Sequence, residues 1–260
     1  MIKALFLDID GTLVSFKTHQ IPASAVAALE AAKAAGVKIF IATGRPVAII
    51  NNINAIKHLV DGYVAANGAC CYVGDKQICH REIPPESVLK IMDYVDRHHI
   101  TCFFVGRRDL LVCHLNDYSR GIFQNKLAVE NLPTNMSVSE IEHEGIVQMT
   151  PFLDADQEKE ALAGVKGCVA ARWYPAFIDI TAEGADKGNG IATVCAHEGI
   201  GLSDVMAIGD GGNDVPMLER AGVGVAMGNA SDDVKAKADY VTADVDTDGI
   251  AQALKHYGVI

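Results

Sequence analysis

The sequence contains no apolar run that approaches the roughly 18 residues required for a membrane-spanning helix. It also lacks an excess of positive charge, since 33 acidic residues outnumber 22 lysines and arginines and give a formal net charge of -11 at pH 7. An acidic surface repels both the phosphate backbone of nucleic acids and anionic lipids. We therefore predict a soluble protein with neither a nucleic acid nor a membrane as partner.

Paired cysteine motifs are absent as well. The seven cysteines are odd in number and scattered, and none forms a C-x-x-C pair, so neither a zinc site nor a disulfide framework is indicated. The first residues form an apolar strand pattern and have no signal-peptide pattern. These absences predict buried, reduced thiols in a cytoplasmic protein.

Strand and helix patterns alternate in the two ends of the 260-residue chain. At the first end, strands are predicted at 2–7, 37–42 and 62–66, with helices at 22–35 and 46–56. After residue 186, a helix to about 197, a strand at 205–208, a helix to 221 and a last helix near 249–256 are predicted. Alternation at this spacing implies a parallel sheet with helices on both faces.

The middle of the chain has a different pattern. A hairpin at 69–83 turning at Gly74 and Asp75 is followed by a mixture of helices and paired strands, which is typical of an α+β unit. We therefore predict an α/β protein with a doubly wound, Rossmann-like core in residues 1–82 and 183–260. An α+β domain, residues 83–182, is inserted into it.

Two carboxylates, Asp8 and Asp10, follow the first predicted strand. At that edge of an open α/β sheet, one acid could attack a phosphorus atom while the second moves a proton. Two adjacent anions need a cation, so this interpretation predicts a bound divalent metal. The same residues are typical of a surface turn, but a calcium loop is excluded because His19 occupies its twelfth position.

Three further polar groups are expected at the same edge of the sheet. Thr43 and Gly44 follow the second strand and offer a hydroxyl and an N–H group to phosphate oxygens, although they could equally cap a helix. Lys187 opens a helix, where a lysine is usually solvated. The turn that begins at Asp210 clusters three oxygen-bearing side chains, which favours metal or phosphate binding.

These residues closely resemble the four motifs of the haloacid dehalogenase superfamily. More narrowly, they resemble its Cof-type phosphatases of subclass IIB, which carry a large C2B-type cap between the second and third motifs. The motifs are Asp8-Ile9-Asp10-Gly11-Thr12, Thr43-Gly44-Arg45, Lys187-Gly188 and Gly209-Asp210-x-x-Asn213-Asp214.

The resemblance implies a role for each matching residue. Asp8 would be the nucleophile and Asp10 the general acid and base, and Mg²⁺ would be held by Asp8, the Asp10 carbonyl and Asp210. Asp214 would orient the metal shell or Lys187. The phosphate group would be held by the Ile9 backbone, Thr43, Gly44, Lys187 and Asn213.

The sequence departs from the family pattern at two positions. Gly190 stands where the lysine motif usually continues with a larger residue, and it should loosen the helix by about 1 kcal/mol relative to alanine. Ile9 replaces the commoner leucine, a small change because only its backbone is expected to act.

The inserted domain is expected to act as a lid that supplies specificity. Its candidate contacts are Arg172, Trp173 and Tyr174, although aromatic residues on a strand pair could equally pack into the core of the cap. Arg45 could also point toward the cap. The resemblance favours a sugar phosphate as substrate, so the expected partner is a small phosphorylated metabolite, bound by a monomer.

Two other functional classes use similar residues. A receiver-type signalling module accepts phosphate on a doubly wound sheet, but such a module is about half this length and has no inserted domain. A non-catalytic binding protein would be expected to have lost a catalytic acid, and none is missing here. Within the enzyme class, a phosphomutase or a phosphotransferase is an alternative to a phosphatase.

Overall fold

Two β-sheets organise the computed structural model, which describes residues 1–106, 109–129 and 132–260. Within those residues the strands are β1 Ala4–Leu7, β2 Lys38–Ala42, β3 Gly62–Ala65, β4 Cys70–Val73, β5 Lys76–His80, β6 Cys102–Val105, β7 Leu110–Cys113, β8 Asn135–Met136, β9 Gln148–Pro151, β10 Cys168–Tyr174, β11 Phe177–Ala182, β12 Val205–Gly209, β13 Val223–Ala226 and β14 Tyr240–Val241. The α-helices are α1 Ala23–Ala34, α2 Pro85–Arg97, α3 Asp117–Gly121, α4 Ala155–Ala161, α5 Lys187–Glu198, α6 Val215–Arg220, α7 Asp232–Lys235 and α8 Gly249–His256. No helix in these ranges has the length and apolar character that crossing a membrane requires.

The larger sheet has the strand order β14-β13-β12-β1-β2-β3-β4-β5. Its strands are parallel from β14 to β3, and the hairpin of β4 and β5 is added antiparallel at one edge. β1 lies between β2 and β12, where the direction of winding reverses. In open α/β sheets, the carboxyl ends of the strands at such a point form the usual ligand site. The predicted doubly wound parallel sheet is therefore confirmed.

The apolar run of β1 reflects burial on both faces of this sheet. Leu5 and Leu7 pack in one core cluster with α1 and α8, whereas Phe6 faces α5 and α6 and stacks on Phe40 with ring centroids 4.8 Å apart. Strands covered by helices on both sides have continuous apolar sequences instead of alternating ones. The buried first strand thus positions the acids that follow it.

The smaller sheet has the order β10-β11-β9-β6-β7-β8 and is antiparallel except where β7 pairs with β8. One face packs against α2 and α4. The other face carries an aromatic cluster that includes Phe103, Phe123 and Phe177 and reaches Ile49 near the end of the larger sheet. This sheet agrees with the predicted α+β character, while the domain boundaries at 82–83 and 182–183 stay a prediction.

The predicted helix at 46–56 is wrong. The segment instead contains a 3₁₀ turn at Val47–Ile49, and a second turn follows at Lys57–Leu59. The apolar residues of this segment do not form one helix face. Ile49 packs in the aromatic cluster, whereas Ile53 packs in the core cluster that contains α1 and α8. The short strands β8 and β14 were not predicted, because two residues are too few to show a periodicity.

Gly190 allows close packing of α5 and does not simply loosen it. A Cβ atom at this position would lie 2.3 Å from Val64 Cγ1 on β3 and 3.2 Å from Gly68 Cα in the following turn. Real Cβ atoms do not approach a neighbour at the shorter distance. Glycine at this position therefore lets the helix that begins with Lys187 lie directly on the sheet.

Replacing Gly190 with alanine separates helix propensity from packing. Propensity alone predicts a gain of about 1 kcal/mol in the free energy of unfolding, whereas overpacking against Val64 predicts a loss of about 1–3 kcal/mol. We expect the loss, measured by urea denaturation. Gly201→Ala is the matched control, because its new Cβ would lie 3.6 Å from Ser203 Oγ, an ordinary contact. A stabilised Gly190→Ala variant would contradict the packing account.

Candidate active site

The two predicted acids lie in a tight turn at the end of β1. Leu13 and Val14 both donate backbone hydrogen bonds to the Ile9 carbonyl, at 3.0 and 2.7 Å, and fold the chain back on itself. Gly11 has a φ of 89°, and a Cβ atom there would lie 2.3 Å from Asp210 Oδ2. Glycine is thus required both for the backbone conformation and for the approach of Asp210.

Lys187 is fully buried at the first position of α5. Its Nζ donates to Asp8 Oδ1 at 2.6 Å and to Asp214 Oδ1 at 2.5 Å. Burial by itself lowers the pKa of Lys187, but attraction to Asp214 and Asp8 outweighs it and raises the pKa above its ordinary value. The lysine therefore stays a cation in contact with the predicted nucleophile.

Asp214 holds the turn after β12 in place. Its Oδ2 accepts hydrogen bonds from the backbone N–H groups of Asp210 at 2.9 Å and Gly211 at 2.8 Å, while its Oδ1 accepts from Lys187. The side chain is completely buried. Both carboxylate oxygens are therefore committed to shaping the turn and orienting the lysine.

Two carboxyl groups at the site have raised pKa values. Burial, with a further contribution from the charge of Asp214, raises the pKa of Asp210 to about 7. Burial and the same neighbour also raise the pKa of Asp8 well above its ordinary value, although Lys187 opposes the shift. Both acids would be more stable as carboxylates if a further cation lay beside them.

The arrangement fits a divalent metal ion such as Mg²⁺. One carboxylate oxygen from each of Asp8, Asp210 and Asp214 lies within 4.8 Å of the others. Because Asp214 is committed elsewhere, Asp8 and Asp210 are the carboxylates best suited to hold the ion, which prefers oxygen ligands. The carboxylate of Asp10 is outside this group, so its predicted metal contact depends on its main-chain carbonyl.

Arg45 holds the second acid. Its Nε and Nη2 each donate to one oxygen of Asp10, both at 2.7 Å, in a bidentate pair. Nη2 also donates to the carbonyl of Leu127 at 2.6 Å, and the side chain is only 3% exposed. Arg45 therefore orients Asp10 and reaches the inserted segment, as its sequence position suggested.

The predicted phosphate-binding residues surround the same space. Thr43 and Gly44 follow β2 and line a cavity of about 70 Å³, which is also lined by Asp8, Asp10, Phe16, Trp173, Asp210, Gly211 and Asn213. The Ile9 side chain is buried in the core, so only its backbone is available to a ligand. Lys187 joins the group through its contact with Asp8. The structure thus brings all the predicted core-motif residues together.

The three predicted cap residues have different positions. Trp173 lines the cavity and donates from Nε1 to Asp179 Oδ2 at 2.8 Å. Tyr174 stacks on Phe177 with ring centroids 5.3 Å apart, and the Arg172 guanidinium pairs with Glu158. The pairing of β10 with β11 is irregular between Ala171 and Tyr174. Arg172 also lines a cavity with Lys187 and Asn213, so its contact with the substrate stays a prediction. Tyr174 packs in the aromatic cluster.

Sequence reasoning missed two residues that connect the sheets. Asn67 accepts from Asn213 Nδ2 at 3.0 Å and donates to Asp179 Oδ2 at 3.1 Å. Asn67 follows β3, so the strand-end rule that selected Thr43 could have found it. Asp179 is a buried acid within an apolar strand, which is an unusual pattern.

Two more missed side chains contact Asp210. The Thr12 hydroxyl donates to Asp210 Oδ1 at 2.8 Å, and Asn229 Nδ2 donates to Oδ2 at 3.3 Å. Thr12 is part of the first motif, whereas nothing local in the sequence marks Asn229. These two donors therefore fix the orientation of the Asp210 carboxylate.

Comparisons with known proteins agree with this geometry. The sequence model of the haloacid dehalogenase-like hydrolases matches residues 5–254. The solved structure of the HAD subclass IIB sugar phosphatase BT4131 is 50% identical, with a TM-score of 0.95 over 99% of this chain and 100% of that one.

Two further matches extend over almost the whole chain. A structure reported to show a conserved trigonal-bipyramidal intermediate in a phosphoryl-transfer superfamily is 49% identical, with a TM-score of 0.96 and full coverage of both chains. The 5-amino-6-(5-phospho-D-ribitylamino)uracil phosphatase YcsE of Bacillus subtilis is 29% identical over 98% of this chain and 96% of its own.

Asp210→Asn tests the electrostatics of the site without an activity assay. The pKa of Asp210 is about 7 in the folded protein, against an ordinary value of 3.8. Between pH 3.8 and pH 7, the folded protein therefore keeps a proton on Asp210 that the unfolded chain has released. Asp210 therefore contributes a loss of stability as pH rises through this window, and asparagine removes that contribution. In EDTA, we expect the variant to gain on the order of 2 kcal/mol relative to wild type between pH 5 and pH 7.5.

The same variant tests the metal site. Added Mg²⁺ should raise the wild-type urea midpoint at pH 7.5 and leave that of Asp210→Asn almost unchanged, because binding to the folded state alone stabilises it. Asp93→Asn, at an exposed ion pair, is the matched control and should respond like wild type. Equal pH slopes and equal Mg²⁺ responses in all three proteins would contradict this assignment.

Proposed function

The chain belongs to the haloacid dehalogenase-like hydrolases and is a phosphatase of the Cof type, and from this premise we propose its substrate, cofactor and mechanism. The protein hydrolyses small phosphate monoesters, with sugar phosphates as the preferred class. The reaction passes through an aspartyl-phosphate intermediate at Asp8, and Mg²⁺ is the cofactor.

The contact that supports this mechanism most directly is the hydrogen bond of 2.6 Å between buried Lys187 and Asp8. A phosphate monoester dianion repels a carboxylate nucleophile, so attack requires positive charge at the same place. Lys187 supplies it, together with the hydroxyl of Thr43, the amide of Asn213 and the N–H groups of Ile9 and Gly44. Bound Mg²⁺, held by Asp8, Asp210 and the Asp10 carbonyl, would offset further negative charge on the phosphate.

Asp8 acts as the nucleophile in the first half of the reaction. A carboxylate oxygen of Asp8 forms a bond to phosphorus as the bond from phosphorus to the ester oxygen breaks. Asp10 enters this step protonated and gives its proton to the departing oxygen. Arg45 keeps the Asp10 carboxyl group turned toward the cavity.

Asp10 acts as a base in the second half. Its carboxylate takes a proton from a water molecule whose oxygen attacks phosphorus, and the bond between phosphorus and Asp8 breaks. Inorganic phosphate leaves, Asp8 is again a carboxylate, and Asp10 is again protonated. The enzyme therefore returns to its starting protonation state, and the phosphoryl group has been transferred to water.

The preference for a sugar phosphate draws on two similar proteins. BT4131 is called a sugar phosphatase, and the name of YcsE describes a substrate with phosphate on a ribityl chain. Both descriptions place the phosphate on a hydroxylated carbon chain. Polar groups of the cap around Asp179 lie next to Gly44 and could meet such a chain.

Trapping the phosphoenzyme tests the mechanism. With p-nitrophenyl phosphate, whose leaving group needs no proton, Asp10→Asn should form the Asp8 ester and hydrolyse it at least ~100-fold more slowly than wild type, since general-base catalysis contributes about 10²–10⁴-fold. Acid quenching and mass spectrometry should find one phosphoryl group on the peptide that carries Asp8. Asp8→Asn should form no ester and release no phosphate, while Asp93→Asn should behave as wild type. Near-native turnover by Asp8→Asn would refute the assignment of Asp8 as the nucleophile.

A substrate screen tests the proposed specificity. With Mg²⁺ present, we expect the highest kcat/KM among hexose and pentose phosphates, with free phosphate as product and loss of activity in EDTA. The best values on nucleotides or phosphoamino acids would overturn the sugar preference. Transfer of phosphate to a second sugar instead of water would indicate a phosphomutase or phosphotransferase.

A further inference from the structure

Three buried polar side chains lie on the face of the smaller sheet that covers the catalytic cavity. Gln148 and Thr150 are on β9 and Asp179 is on the neighbouring strand β11, and none is more than 4% exposed. With Gly44 and Arg45, they line a cavity of about 20 Å³ whose other walls are mainly aromatic and aliphatic. Polar groups are thus concentrated where the cap meets the phosphate loop.

The hydrogen bonds fix the orientation of the Gln148 amide. Thr150 Oγ1 donates its single proton to Asp179 Oδ1 at 2.7 Å, so it can only accept from Gln148, whose Nε2 lies 3.2 Å away. A flipped amide would place two acceptors against each other. The NH₂ group of Gln148 therefore faces Thr150, and its Oε1 points elsewhere.

Gln148 Oε1 is a buried acceptor without a hydrogen-bond partner in the described ranges of the chain. Leaving such a group unpaired costs about 1–3 kcal/mol, and native structures contain few of them. The side chain is only 2% exposed, so bulk solvent does not explain the exception. Gln148 also lines the cavity, so a ligand that enters it could supply the missing donor.

The position of this acceptor relative to the catalytic acids identifies the donor. Gly44 and Trp173 line both the cavity at Gln148 and the larger one at Asp8 and Asp10. The two cavities therefore adjoin at Gly44 and Trp173, so the ester substituent of a phosphate group in the larger cavity could reach the one at Gln148. The smaller cavity, at about 20 Å³, has room for one water-sized group such as a hydroxyl.

We propose that Gln148 is a specificity-determining residue whose Oε1 accepts a hydrogen bond from a hydroxyl group on the leaving group of the substrate. This inference rests on the proposed phosphatase function and narrows its substrates to monoesters of hydroxylated alcohols. Thr150 and Asp179 position the amide. An ester without that hydroxyl leaves Oε1 unpaired and is disfavoured for this reason.

Gln148→Met tests the proposal, because methionine has a similar length and no acceptor oxygen. The probes are glucose 6-phosphate, fructose 6-phosphate and ribose 5-phosphate, compared with phenyl phosphate, whose leaving group carries no hydroxyl. We expect the ratio of kcat/KM for the best sugar phosphate to that for phenyl phosphate to fall about tenfold or more in the variant. Gln124→Met, at an exposed position of the inserted segment, is the matched control and should keep the wild-type ratio.

Deoxy analogues of the best sugar phosphate identify the hydroxyl group. One analogue should lower kcat/KM in the wild-type protein about tenfold or more and have a much smaller effect in Gln148→Met, because the acceptor is already absent. If Gln148→Met loses activity equally on sugar and phenyl phosphates, its role is structural and the proposal is overturned. It is also overturned if the ratio stays at the wild-type value, or if wild type prefers phenyl phosphate. Wild-type protein that cleaves none of the probes would instead contradict the proposed substrate class.

Discussion

The buried ammonium group of Lys187, held between the carboxylates of Asp8 and Asp214, is the contact on which the rest of the site depends. It joins three segments that are far apart in the sequence: the end of β1, the start of α5 and the turn after β12. Removing one partner of such a buried pair leaves an uncompensated charge, at a cost of about 3–5 kcal/mol. The same contact therefore stabilises the edge of the sheet and places a cation at the proposed nucleophile.

This contact also explains how an acidic protein can bind an anion. The chain carries a net charge of -11, and its site contains four carboxylates, from Asp8, Asp10, Asp210 and Asp214, against the two cations Lys187 and Arg45. Burial, together with this excess of negative charge, raises the pKa values of Asp8 and Asp210. A divalent cation removes the imbalance, so metal and phosphate binding are expected to be coupled.

The sequence allowed the core and its motifs to be predicted because both follow from local rules. Buried strands are continuous apolar runs, and Asp8, Thr43 and Asp210 could be found because each follows one. Residues that act through distant partners gave no such signal: Asn229 acts through Asp210, and Gly190 needs Val64. The irregular pairing of β10 with β11 hides which of its side chains face the site, so the substrate contact of Arg172 stays a prediction.

The most direct test of the central claim is the affinity of wild type and Lys187→Met for inorganic phosphate, measured by titration calorimetry with saturating Mg²⁺. If Lys187 supplies the positive charge for the phosphate, the folded variant should bind at least ~100-fold more weakly, which corresponds to about 3 kcal/mol. A circular dichroism spectrum that matches wild type establishes that the variant is folded. Equal phosphate affinity in a folded Lys187→Met protein would contradict the account.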